Sequence, residues 1–113
     1  MKVFQVNTED PNNNKICSIK NINTEEFIGV WVTDKTQSKK SRCLFQSHMS
    51  KKWWETDELG RYCNHSFVPN TIVINDSDKL ILKANQCIQN NEEILVDYTE
   101  ITRLTGYILN TDF

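Results

Sequence analysis

The sequence predicts a small, mostly β domain with short helical pieces. Three observations predict it. The apolar runs are about four to six residues long and rich in β-branched side chains, lengths that suit strands better than helices. Clusters of Asn, Asp, Ser and Pro punctuate those runs, as turns require. The chain has 113 residues, 38% of them hydrophobic and 25% charged, which is one soluble globular domain. A chain of this size buries roughly 65% of its unfolded surface, enough for a modest core.

The elements follow in order. Strands are expected at 2–6 (KVFQV), 16–19 (ICSI), 27–32 (FIGVWV), 71–74 (TIVI), 79–84 (KLILKA) and 94–97 (ILVD). Turns are expected at Asp10–Asn14, at Asn75–Asp78 and at Asn90–Asn91. "TIVINDSDKLIL" reads as a β-hairpin with a four- or five-residue loop. Residues 47–59 suit a short helix or an irregular turn carrying Trp53 and Trp54. If that adjacent pair lay in a strand, its side chains would face opposite sides. Ile101, Leu104 and Ile108 recur at near-helical spacing, so a short terminal helix is expected over 99–109.

Charge and cysteine usage narrow the classes. The net charge of −2 does not suit a nucleic-acid binder, which leans on clustered Lys and Arg. The basic stretch Lys35–Arg42 reads as a solvated loop. Cys17, Cys43, Cys63 and Cys87 are irregularly spaced without a C-x-x-C pair, so no metal site or redox pair is expected. Each reads as a buried or half-buried apolar residue. The first ten residues lack the apolar core of a signal peptide, and no run reaches membrane-spanning length. An intracellular protein with reduced thiols is expected. The sequons Asn64-His65-Ser66 and Asn75-Asp76-Ser77 then read as chance matches.

Two segments carry chemistry. Arg61, Tyr62, Asn64, His65, Ser66, Pro69 and Asn70 form R-Y-x-N-H-S-x-x-P-N. Glu92, Glu93, Ile94, Asp97 and Tyr98 form E-E-I-x-x-D-Y after the hairpin. The pair, in this order and at this separation, resembles the SET domain of protein lysine methyltransferases. Ile19, Ile22, Glu26, Ile28 and Gly29 resemble that family's first stretch. The resemblance implies one SET domain over residues 1–113, with a variable insert at 35–58 and a C-terminal tail at 99–113. It implies a β-clip-like fold of short sheets with a C-terminal pseudoknot that sets N-H-S beside D-Y. Tyr107 or Phe113 would close the channel as an aromatic lid.

The chemistry so implied is methyl transfer from S-adenosylmethionine to a lysine ε-amine. The amine must be neutral to attack. At pH 7.4 a lysine of pKa 10.4 is about 0.1% neutral, a deficit of roughly 4 kcal/mol. Burial and a neighbouring sulfonium both disfavour the ammonium. No strong base is needed, only an apolar channel and a few oriented oxygens. By resemblance Tyr98 is catalytic, its hydroxyl beside the methyl and the lysine nitrogen. Asn64 binds the amino-acid end of the cofactor, and His65 contacts the adenine, largely through its backbone. Lys15, Ile16 and Tyr62 complete the cofactor site, and Trp31, Val73 and Val96 line the substrate channel. Pro69 and Asn70 frame a turn through a fixed φ and a local side-chain bond. No metal is implied.

The implied partner is a protein with an accessible lysine, without membrane or nucleic acid; oligomeric state is left open. Three departures accompany the resemblance. "NNNKI" replaces a G-x-G turn, Trp31 replaces a channel tyrosine, and Asn91 replaces a glycine. They motivate the alternative reading, a catalytically inactive SET-like protein-binding module.

Overall fold

The computed structural model describes residues 2–33, 39–40, 54–76 and 78–100, with the backbone alone at 39–40 and 54–55. Its strands are β1 (Phe4–Asn7), β2 (Lys15–Ser18), β3 (Phe27–Thr33), β4 (Lys39–Lys40), β5 (Trp54–Glu55), β6 (Asn64–His65), β7 (Thr71–Asp76), β8 (Lys79–Ala84) and β9 (Leu95–Val96), with one helical turn, α1 (Leu59–Tyr62), between β5 and β6. They form three sheets: β1-β2, β4-β5-β3-β8-β7 and β6-β9. Among the described residues only β6-β9 is parallel.

The hairpin expected at 71–82 is the centre of the fold. β7 pairs with β8 from Thr71↔Ala84 to Asp76↔Lys79, so Asn75 and Asp76 continue the strand and the connection is two residues rather than the expected four or five. On β8 Leu80, Leu82 and Ala84 are fully buried and alternate with half-buried neighbours, the period of a strand with one face on the core. β3 lies on the other side of β8, with register shifts between Phe27 and Gly29 and between Val30 and Val32. Such bulges bend a strand and add twist. Trp31 and Val32 are consecutive yet both buried, which a regular strand with one buried face does not allow. Ile16, Ile22, Ile88, Ile94 and Val96 close the same core from other elements.

Gly29 sits where β3 passes Leu59 and Phe4. A Cβ there would lie 3.0 Å from Leu59 Cδ2 and 3.3 Å from Phe4 Cε1. Gly29→Ala is therefore expected to destabilise by about 1–2 kcal/mol, since both neighbours must shift. A lowered urea midpoint with an unchanged slope is the expected result.

The segment before the signature differs from expectation. Trp54–Glu55 is a strand against Val32–Thr33, and the helical turn begins at Leu59, so residues 54–58 are not helical; 47–53 lie outside the described residues. Thr56 explains the switch. Its hydroxyl donates to Val30 O at 2.8 Å, with Trp31 O also in reach at 3.1 Å, and accepts the Gly60 N–H at 2.8 Å. One side chain thus anchors the segment to β3 and satisfies a free donor of the helical turn. Lys39–Lys40 pairs with β5, so part of the basic stretch is strand rather than loop. Cys17 and Cys63 are buried, but Cys87 is exposed, contrary to expectation. It follows the bend at Asn85–Gln86, where the chain leaves β8. Trp53, Cys43, His48, Tyr107 and Phe113 lie outside the described residues, as does all but Thr99–Glu100 of the expected terminal helix.

Candidate active site

The signature segments meet at the parallel pair. Asn64 pairs with Leu95 and His65 with Val96, and Ser66 N–H donates to Val96 O at 3.0 Å. N-H-S is therefore fixed beside I-L-V-D-Y by backbone bonds.

Side chains tighten the junction. The backbone N–H of Tyr98 donates to His65 Nδ1 at 3.0 Å. A neutral imidazole with Nδ1 as acceptor carries its proton on Nε2. Asp97 Oδ1 lies 3.9 Å from the same Nδ1. The Tyr98 hydroxyl donates to the carbonyl of Cys63 at 2.6 Å, and Cys63 Sγ donates to Ile94 O at 3.3 Å. Trp31 stacks on Tyr98 with centroids 5.9 Å apart and planes at 25°. His65 lies 5.0 Å from Tyr98 and 4.4 Å from Phe67, edge-on to the latter. A row of aromatic rings thus runs from the core at Trp31 to the surface at Phe67, which is 72% exposed.

The opposite wall is the turn before β2. Asn64 Nδ2 donates to Asn14 O at 3.2 Å and to Glu93 Oε2 at 3.0 Å. Ile94 N–H donates to Ile16 O at 2.9 Å. "NNNKI" is therefore brought to N-H-S, with Asn14 in the position nearest Asn64. Lys15 follows on β2, half-buried, while the Ile16 side chain is fully buried in the core. Tyr62 ends α1, half-buried against the core. Trp31, Val73, Val96 and Tyr98 are all buried. All four belong to one core cluster.

A sequence model of the SET domain matches residues 5–99. The chain belongs to the SET-domain family. The fold of this SET domain resembles a candidate histone methyltransferase of Plasmodium falciparum, with a TM-score of 0.60 and 21% identity over 87% of this chain and 94% of that one. It also resembles the Chaetomium thermophilum polycomb repressive complex 2, with a TM-score of 0.54 and 16% identity over 85% of this chain and 15% of that one. At these identities the likeness is one of fold. No curated protein matches the sequence.

Two roles in this SET domain escaped the sequence reading. Asn70 is not a local turn former: its amide donates to Glu93 O at 2.8 Å and accepts the Leu95 N–H at 2.9 Å. Asp97 caps the helical turn that starts at Thr99, accepting the Thr99 N–H at 2.9 Å and its hydroxyl at 2.6 Å. The spacing Asp97-x-x-Glu100 is a capping-box signal and was available in the sequence. Asn91 adopts φ 68°, the left-handed region that asparagine tolerates best after glycine. Asn91 thus supplies a conformation that a glycine would adopt freely. Among the described residues no cluster of His, Cys, Asp or Glu is arranged to hold a metal, and no helix is long and apolar enough to cross a membrane.

Proposed function

We propose that this chain is an S-adenosylmethionine-dependent protein-lysine N-methyltransferase. The observation that supports it most is the junction of β6 and β9. It sets Asn64 and His65 beside Tyr98 and buries the Tyr98 hydroxyl with its proton committed to Cys63 O. SET-domain proteins are generally protein-lysine methyltransferases that use this cofactor.

S-adenosylmethionine, when bound, supplies a methyl group activated by a sulfonium charge. The chain's own residues then have three tasks. Asn64, with Asn14 and the start of β2 at Lys15 and Ile16 beside it, would hold the amino-acid end. The donor set fits: Asn14 Oδ1 is buried without a hydrogen bond, an acceptor ready for an ammonium. His65 meets the adenine through its backbone, with Tyr62 alongside. Tyr98, its proton pinned, presents oxygen lone pairs that orient a neutral lysine amine by accepting its N–H. Trp31, Val73 and Val96 surround that amine with carbon, which disfavours the ammonium. The substrate is a protein with an accessible lysine.

The test is transfer of labelled methyl from the cofactor to a panel of lysine-rich proteins and peptides. Label on a lysine side chain is expected. Absence of transfer, with no calorimetric binding of cofactor at millimolar concentration, would leave the protein-binding module as the better reading.

A further inference from the structure

Glu93 carries a charge that the methyl-donor reading does not use. Its side chain is half-buried and is hydrogen-bonded by Asn64 Nδ2 at 3.0 Å. No cation pairs with it among the described residues. The other hydrogen of the Asn64 amide goes to Asn14 O at 3.2 Å. Both partners accept only, so the amide has one allowed orientation. Turned over, Oδ1 would face a carboxylate and a carbonyl, with no donor between them.

Both Nδ2 hydrogens are thereby used. Asn64 Oδ1 makes no hydrogen bond among the described residues, and it can only accept. Asn14 Oδ1, from the neighbouring turn, is buried and also without a hydrogen bond. Three acceptor-bearing side chains meet here, with one negative charge.

We infer that Glu93 is a positioning residue for this site: it holds Asn64 with Oδ1 available and supplies the counter-charge for the ammonium of an amino-acid ligand. The inference rests on the methyl-donor reading. A ligand carboxylate in the same place would meet Glu93 as a like charge in a partly desolvated setting, where repulsion exceeds its value in water. A ligand ammonium meets the opposite charge of Glu93 and the acceptor oxygens of Asn64 and Asn14.

The test is calorimetry on the full chain with three thioethers, which removes the sulfonium charge from the comparison. S-adenosylhomocysteine keeps both ends of the amino acid. Its decarboxylated form keeps the ammonium only. 5′-Methylthioadenosine keeps neither. Wild type is expected to bind the decarboxylated form about tenfold or more tighter than 5′-methylthioadenosine, the scale of a hydrogen bond to a charged group. In Glu93→Gln that advantage should fall by about the same factor, with affinity for 5′-methylthioadenosine unchanged. Equal losses for both ligands would mean a general structural role and overturn the inference. So would unchanged affinities in the variant while wild type binds S-adenosylhomocysteine, and the methyl-donor reading would then stand. If Glu93→Gln does not fold, the wild-type comparison decides: equal affinity for the last two ligands overturns it. Binding of none of the three by wild type sinks the methyl-donor reading itself, and the Glu93 inference with it.

Discussion

Tyr98→Phe is expected to reduce methyl transfer by about 10²–10⁴-fold, the range for losing an oriented group at a reacting centre, with cofactor affinity unchanged. The hydroxyl donates to Cys63 O at 2.6 Å. That bond fixes the rotor and turns the lone pairs away from the carbonyl. Phenylalanine keeps the ring, its stacking on Trp31 and its place beside His65. It removes only the oriented oxygen. The variant also removes the hydrogen bond from the hydroxyl to the Cys63 carbonyl, at a cost of about 1 kcal/mol in stability. The two effects separate experimentally. Melting and calorimetry report the fold and the cofactor site, whereas single-turnover transfer reports the hydroxyl. Transfer at the wild-type rate would remove Tyr98 from the mechanism.

Asn70→Ala is expected to cost about 2–4 kcal/mol, from two backbone groups losing their partner together. The Asn70 side chain is 5% exposed in total with its backbone. Its amide accepts from Leu95 N–H and donates to Glu93 C=O, with Glu92 Oε2 also at 3.2 Å. It acts as a peptide group inserted beside residues 93–95, standing in for a strand neighbour. Alanine supplies neither bond. A domain of this size has about 5–15 kcal/mol in all, so a large fall in the urea midpoint should be plain. Asn70→Asp separates shape from charge. The new carboxylate would face Glu92 and Glu93 O, so its penalty should shrink as pH falls and the group protonates. A pH-independent penalty would contradict this account.

The difference between Asn70 and the hairpin shows what the sequence made legible. Leu80, Leu82 and Ala84 alternate over a full strand, and "NDSD" places the reversal beside them, although its first two residues continue the strand. β6 and β9 are two residues each, too short to show any period. Only the motif resemblance joined them. The reach of Asn70 to Glu93 and Leu95 crosses more than twenty residues, and no local rule anticipates it. Trp54–Glu55 was misread because two residues carry no helical or strand period. Thr56, which decides their fate, acts through β3, more than twenty residues back.

The parallel pair also has a kinetic meaning. β7 and β8 are neighbours in sequence, and hairpins of that kind close in about 1–10 μs. His65 and Tyr98 meet across 33 residues, and the hairpin must already be in place within that loop. Closing longer loops costs more chain entropy before any contact repays it, and non-local pairings slow folding. Tyr98 and the asparagine-histidine wall therefore come together late in the folding of the chain. A partly folded molecule would have its central sheet yet no β6-β9 junction, so on the proposed reading the appearance of cofactor binding during refolding would time the closing of the last loop.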